Sequence, residues 1–131
     1  MGDPETEAIF PRLKTDMGAL VQAIAYGTLD QLNLALDPQT SACIFLVSGG
    51  YPGEFKKLKW IRIPQNTNDC NLFFAGVKWE GNNLVTNGGR VIAVSSLGED
   101  IPSALAKSTA MAKEIAFEGK YFRHDIGLDL L

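Results

Sequence analysis

The chain has 131 residues, 46% of them hydrophobic, and 12 basic against 15 acidic side chains give a formal net charge of -3. That length supports one domain with its own core, alone or with a helical lead-in, and excludes a tail or linker. The acidic balance excludes a general nucleic-acid surface, so any anion site must be local. Cys43 and Cys70 are too few for a disulfide framework and fall in no metal-binding spacing, which fits a reducing compartment. No apolar run approaches a membrane span and no signal-peptide pattern is present, so a cytoplasmic location is expected, with neither membrane nor nucleic acid as partner.

Asp3-Pro4-Glu5 reads as a helix start, with Asp3 at the N-cap, Pro4 at the first helical position and carboxylates in the first turn. Ile9, Phe10 and Leu13 supply that helix with a buried stripe, and Pro11 breaks or kinks it. A second helix is expected from Thr15 or Asp16, because Met17, Leu20, Val21 and Ile24 recur at helical spacing and Gly27 serves as its C-terminal cap. Residues 29–36 add a short helical turn before Asp37-Pro38.

From Ser41 the period changes. Residues 42–47 are apolar on both faces, as in a strand covered on both sides, and run into Ser48-Gly49-Gly50-Tyr51-Pro52-Gly53. That loop lacks the Gly-Lys-Ser/Thr of a Walker loop and does not spell GxGxxG, so direct nucleotide binding by it is not expected. Residues 54–59 carry three lysines beside Phe55 and Leu58 and read as a solvated face. Residues 60–64 alternate like a short strand, 65–71 form a polar loop, 72–79 read as another strand, and Glu80-Gly81-Asn82-Asn83 turns the chain back.

The stretch 84–94 gathers the chemistry. Two strand-like runs, 83–85 and 90–94, flank Thr86-Asn87-Gly88-Gly89, whose residues tolerate positive φ and close backbone approach. Arg90 therefore sits where a tight turn re-enters a sheet. Exposed glycine amides beside a guanidinium suit a phosphate or carboxylate, while the stretch alone also reads as a hairpin turn with a solvated arginine. Beyond it, an amphipathic helix is expected over 101–117, with Ile101, Leu105, Ser108, Ala112 and Ile115 on one face. In residues 121–127, Arg123 and Asp125 form a local pair that holds the tail. The single histidine, His124, reads as structural, Cys43 as a core thiol, Cys70 as a loop thiol, and Lys78 as a solvated strand lysine able to add charge near the turn.

Five segments then stand in order: Gly2-Asp3-Pro4-Glu5-Thr6, Pro11-Arg12-Leu13-Lys14, Ser48-Gly49-Gly50-Tyr51-Pro52-Gly53, Val85-Thr86-Asn87-Gly88-Gly89-Arg90-Val91 and Phe122-Arg123-His124-Asp125-Ile126-Gly127. Together they resemble the C-terminal part of phosphoribosylamine-glycine ligase, also called glycinamide ribonucleotide synthetase, over essentially the whole chain. The resemblance implies an α+β fold. Residues 39–131 would form a small, mostly antiparallel β-sheet domain of the rudimentary single hybrid motif type with packed helices. Residues 1–38 would be a helical remnant, the C-terminal edge of an ATP-grasp region.

It further implies part of an ATP-dependent carbon-nitrogen ligase of de novo purine synthesis. Such an enzyme joins glycine, activated as an acyl phosphate, to 5-phosphoribosylamine and releases glycinamide ribonucleotide, ADP and phosphate. The family's magnesium ligands, a Glu and an Asn, precede the Gly-Asp-Pro-Glu motif and so fall before Met1. ATP and Mg2+ are therefore expected of the full-length enzyme but not of this chain alone. The chain is expected to contain no catalytic residue, to be inactive by itself, and to work with N-terminal and ATP-grasp domains as partners. The rival reading is a stand-alone, non-catalytic phosphosugar-binding or structural module.

By the same resemblance Arg90 receives the ribose phosphate, and Gly88 and Gly89 let the backbone approach it. Gly49, Gly50 and Tyr51 would border the sugar phosphate from the opposite side; alternatively the glycines only satisfy turn geometry, with Tyr51 and Pro52 packed as a plug. Asp3 either caps its helix or orients the ammonium of glycine or of phosphoribosylamine.

Overall fold

One long strand, β5 (Arg90–Gly98), organises the chain. The computed structural model describes residues 2–67 and 69–130. In it β5 is buried along almost its whole length, with β1 (Thr40–Val47) antiparallel on one side and β2 (Cys70–Phe74) antiparallel on the other. Val94 is the crossing point, opposite Ile44 in β1 and Leu72 in β2.

Helix α3 (Ile101–Glu114) starts at a capping box. The Asp100 carboxylate accepts from the Ser103 amide at 2.8 Å, and the Ser103 hydroxyl accepts from the Asp100 amide at 3.1 Å. Its inward face is built mostly of small residues: Ala104, Ser108 and Ala112 are buried, together with Met111. Such a face lets the helix lie close to the sheet, and the polar atoms this buries are paired. Ser96 donates to the Ala104 carbonyl at 2.7 Å, and Ser108 donates to the Ala42 carbonyl at 2.8 Å. The core between helix and sheet is Ile44, Leu46, Val91, Ile92, Val94, Met111, Ala112, Ile115, Phe117 and Phe122. The helix stops at Glu114, short of Phe117, because residues 115–117 turn back to send Ile115 and Phe117 into that core.

A second, two-stranded antiparallel sheet pairs β3 (Val77–Glu80) with β4 (Asn83–Thr86). It corrects two expectations at once. Residues 84–94 do not form a hairpin, since β4 and β5 belong to different sheets and residues 87–89 carry the chain between them. The single strand expected over 72–79 is broken at Ala75-Gly76, where the chain leaves β5 for β4. Both follow from a backbone crossing: a Cβ on Gly76 would lie 2.7 Å from the Gly88 Cα, so neither position has room for a side chain. The Gly76 carbonyl fixes the crossing by accepting from the amides of Asn87 (2.7 Å) and Gly88 (3.1 Å). Residues 60–64 are likewise no strand of their own. They make two isolated bridges, Trp60 to Val85 at the edge of β4 and Arg62 to Ala116 in the segment after α3. Cys70 opens β2 and is not a loop thiol.

The N-terminal segment keeps its helices but not their expected burial. Helix α1 (Glu5–Ile9) has Pro4 at its cap position and no side-chain cap, so Asp3 is not an N-cap. Its carboxylate is engaged elsewhere. Ile9 is 47% exposed and drops out of the expected stripe, while the 3-10 turn Phe10–Arg12 tucks Phe10 and Leu13 into half-buried positions. Helix α2 (Met17–Tyr26) starts and stops as its sequence dictates, with the Asp16 carboxylate accepting from the Ala19 amide at 2.8 Å and Gly27 left-handed at φ +68°. Yet Val21 and Ile24 are exposed, and among its described residues Ala23 alone is buried. Only Leu29–Gln31 of the next segment is helical, as a 3-10 turn, after which the chain returns extended to bridge Leu13 at Leu36. No helix among the described residues is long and apolar enough to cross a membrane.

Candidate functional site

A bulge near the end of the β1–β5 pairing aims the central side chain. Leu46 pairs with Ile92, but the next residue, Val47, pairs with Arg90, so Val91 is the extra residue on β5. Such a bulge bends the strand and re-aims the side chains beside it. The Arg90 guanidinium comes to lie 5.2 Å from the centroid of the Phe45 ring, a cation-π arrangement. Its other contact is Asp3: Nη2 donates to the carboxylate at 2.6 Å and Nη1 to the Asp3 carbonyl at 3.4 Å. A guanidinium has five donor hydrogens, and with its side chain 37% exposed Arg90 retains donors that face water.

The two glycine turns expected to face each other do meet. Ser48, the residue after β1, donates its hydroxyl to the Gly88 carbonyl and its amide to the Gly89 carbonyl, each at 2.8 Å. The Tyr51 ring packs where a Gly89 side chain would stand, so Gly89 is glycine to admit that ring. Gly50 holds φ +98°, and a Cβ on Gly49 would lie 2.6 Å from the Gly119 carbonyl oxygen. The glycines thus have packing reasons of their own, and the Gly88 amide is committed to Gly76 rather than free for an anion. Tyr51 meets Phe55 edge-on, with ring centroids 6.1 Å apart.

Two cavities flank these turns. One of about 260 Å³ is mostly apolar and includes Phe45, Tyr51, Pro52 and Tyr121 in its wall. The other, of about 360 Å³, lies beyond Gly49 and includes Lys56, Lys59 and Glu118, the last two joined at 2.6 Å. Lys78 stands outside both, 3.9 Å from Glu80.

Sequence reasoning named Arg90, Gly88, Gly89, Gly49, Gly50, Tyr51 and Asp3, and the fold gathers all seven around the end of β1. It missed Ser48 and Phe45. Ser48 was readable as the polar residue closing a buried apolar run, whereas Phe45 needed the bulge, which no pattern in the sequence announces. Burial, with Glu7 and Asp3 adding to it, pushes the Cys43 thiol up to about 12, so it is protonated at neutral pH and is no nucleophile. Arg123 holds Asp125 through two bonds of 2.9 and 2.7 Å, and His124 packs against Phe122 at 4.5 Å, leaving both in the tail.

Fold and site together define an α+β domain that carries one partly exposed guanidinium where two interlocked glycine turns meet. Residues 41–129 match the family model described as phosphoribosylglycinamide synthetase, C domain, and the chain belongs to that family. It is 34% identical to the phosphoribosylamine-glycine ligase of Fusobacterium nucleatum over 97% of its own length and 31% of that relative's. The corresponding ligase of Vibrio cholerae is 39% identical, with 96% of this chain and 30% of that protein covered. A crystal structure of phosphoribosylamine-glycine ligase from Thermotoga maritima superposes with a TM-score of 0.78 at 33% identity, covering 95% of this chain and 31% of that one. The chain therefore spans about a third of the length of these relatives.

Proposed function

We propose that this chain serves as the sugar-phosphate side of a phosphoribosylamine-glycine ligase cleft, with Arg90 as the phosphate receptor. Residues 1–38 act in this reading as the last edge of an ATP-grasp region and residues 39–131 as the C domain proper. The observation that carries it is the half-exposed Arg90 guanidinium on the Phe45 ring, beside the Tyr51 turn and its cavity. A phosphate monoester bears close to two negative charges at neutral pH, and a guanidinium answers it with paired, charge-assisted hydrogen bonds. Tyr51 walls the apolar side on which the sugar rests. Asp3, paired with the guanidinium at 2.6 Å, offers its carboxylate to the ammonium of the incoming amine.

In this reading ATP and Mg2+ are held by the rest of the full-length enzyme. Among the described residues no three His, Cys, Asp or Glu side chains converge as a metal site, and neither glycine turn has phosphate-loop spacing. No step of nucleotide chemistry is assigned to these residues. They bind and orient the phosphosugar, in a cytoplasmic setting, for chemistry carried by an ATP-grasp module.

Calorimetry with ribose 5-phosphate on the wild-type chain and on Arg90→Ala tests the reading. Binding by the wild type that is lost in the variant is expected. Equal binding by both would remove Arg90 from the phosphate site.

A further inference from the structure

We infer that the Asp3 to Arg90 pair is a selectivity gate: the carboxylate occupies the phosphate receptor from within and yields it more readily to a phosphosugar that also carries an amino group than to one that does not. This rests on the reading of Arg90 as the phosphate receptor and adds which sugar phosphates that receptor admits. Asp3 meets both terminal nitrogens of Arg90, Nη2 through its carboxylate at 2.6 Å and Nη1 through its backbone carbonyl at 3.4 Å. That end of the guanidinium is one of the edges on which an anion pairs through two parallel hydrogen bonds. One planar face is covered too, by the Phe45 ring with its centroid 5.2 Å from Cζ. A phosphate therefore gains the full end of the fork only by displacing the Asp3 carboxylate.

Displacement is open to a ligand because the pair is partly in water, with the Arg90 side chain 37% and the Asp3 side chain 53% exposed. Among the described residues Asp3 makes no other hydrogen bond, and it precedes α1, so its side chain is free to turn. The carboxylate nevertheless stays beside the receptor, since the Asp3 backbone carbonyl itself lies against Nη1. What displacement costs then depends on the ligand. A sugar phosphate without an amine leaves a carboxylate facing a phosphate, and like charges at that range repel. A sugar phosphate with an amine answers both groups, its phosphate on Arg90 and its N–H hydrogens on Asp3, with charge assistance when the amine is protonated. An exposed ion pair of that kind is worth up to about fivefold in affinity. The preference has a chemical use. An amine on the anomeric carbon of a sugar is lost to water as ammonia, so a site for the aminated sugar phosphate always meets the amine-free one.

Calorimetry on the chain with a matched pair of stable ligands, 1-amino-1-deoxyribitol 5-phosphate and ribitol 5-phosphate, tests the gate. The wild type is expected to prefer the amine by up to about fivefold at low salt, and the preference to shrink in about 1 M NaCl. In Asp3→Asn the preference should vanish, because ribitol 5-phosphate tightens while the aminated ligand, which loses its own partner, changes little. A merely structural role for Asp3 would instead move both affinities by the same factor. Arg90→Ala should lose both ligands. Equal binding of ribitol 5-phosphate by wild type and Arg90→Ala, or no binding of either ligand by the wild type, would remove the phosphate reading together with the gate. With the Arg90→Ala loss in place, the gate alone is overturned by equal wild-type affinities for the two ligands, by a preference that survives in Asp3→Asn, or by equal shifts of both ligands in that variant.

Discussion

At the scale of single residues, Leu58 and Asp3 each hold a position their chemistry makes costly to keep. Leu58 sits at φ +62°, half-exposed, where an L-residue with a side chain is strained by about 1–2 kcal/mol. Glycine relieves that strain but adds roughly 0.5–1 kcal/mol of unfolded-state freedom. Leu58→Gly is therefore expected to raise stability by up to about 1 kcal/mol, and Leu58→Ala, which keeps the Cβ, to give no gain. Urea midpoints of the two variants measure this, and a gain by alanine equal to that of glycine would show that the backbone is not the cause. Asp3 is expected to tune anion binding at Arg90. Its carboxylate, 2.6 Å from Nη2 and about half-exposed, competes with any anion for the guanidinium. An exposed pair of this kind is worth roughly 0.2–1 kcal/mol, so Asp3→Asn should tighten ribose 5-phosphate binding by about 1.4- to fivefold. Weaker binding would mean that Asp3 aims the guanidinium more than it neutralises it.

At the scale of elements, the C-terminal end of α3 rests on one cation from outside the helix. The Lys120 ammonium donates to the carbonyls of Ala112, Lys113 and Ile115, groups that a helix end leaves without intrahelical partners. Lys120→Met keeps the alkyl stem and removes these bonds, and a loss of about 1–3 kcal/mol in chemical unfolding is expected. A change below a few tenths of a kcal/mol would show that water replaces the ammonium. Elements of this local kind were the legible part of the fold. Asp16 and Gly27 mark the ends of α2 through bonds to near neighbours, and of the expected face of α3 Ser108 and Ala112 are buried, joined by Ala104 and Met111, while Ile101 and Leu105 stay half-buried. What stayed hidden was which strand each strand pairs with. Gly76 and Gly88 look like ordinary turn residues in sequence, yet their contact splits one expected strand and undoes one expected hairpin. The site was legible in its residues, because Arg90 and the glycine turns carry distinctive types. Its geometry was not, because the Arg90 to Asp3 pair spans 87 positions and the Phe45 contact depends on a bulge.

At the scale of the whole molecule, the carboxylates make the fold acid-sensitive, and their burial decides which one controls it. Lys14 at 2.9 Å, together with the Gln39 amide, holds Asp37 below the usual carboxylate range. Hydrogen bonds from Lys59 lower Glu118, and those from Arg123 hold Asp125 down at about 2. A carboxylate whose folded pKa lies below its unfolded one contributes stability that is complete above the unfolded value, and loses it as pH falls through the folded value. All three therefore favour unfolding in acid. Glu118 and Asp125 are exposed, 75% and 60% at their side chains, so high salt screens their pairs. The Asp37 side chain is 12% exposed and ties residues 12, 14 and 39 together, with the Asp37 amide donating to the Arg12 carbonyl at 2.6 Å and the Arg12 guanidinium reaching the Asp37 carbonyl at 3.2 Å. In about 1 M NaCl, where the Debye length is near 3 Å, the drop in urea midpoint between about pH 6 and pH 3 should persist in the wild type and in Asp125→Asn. It should shrink markedly in Asp37→Asn. Equal drops in all three proteins would place the acid-sensitive contact elsewhere than at the join between the N-terminal segment and β1.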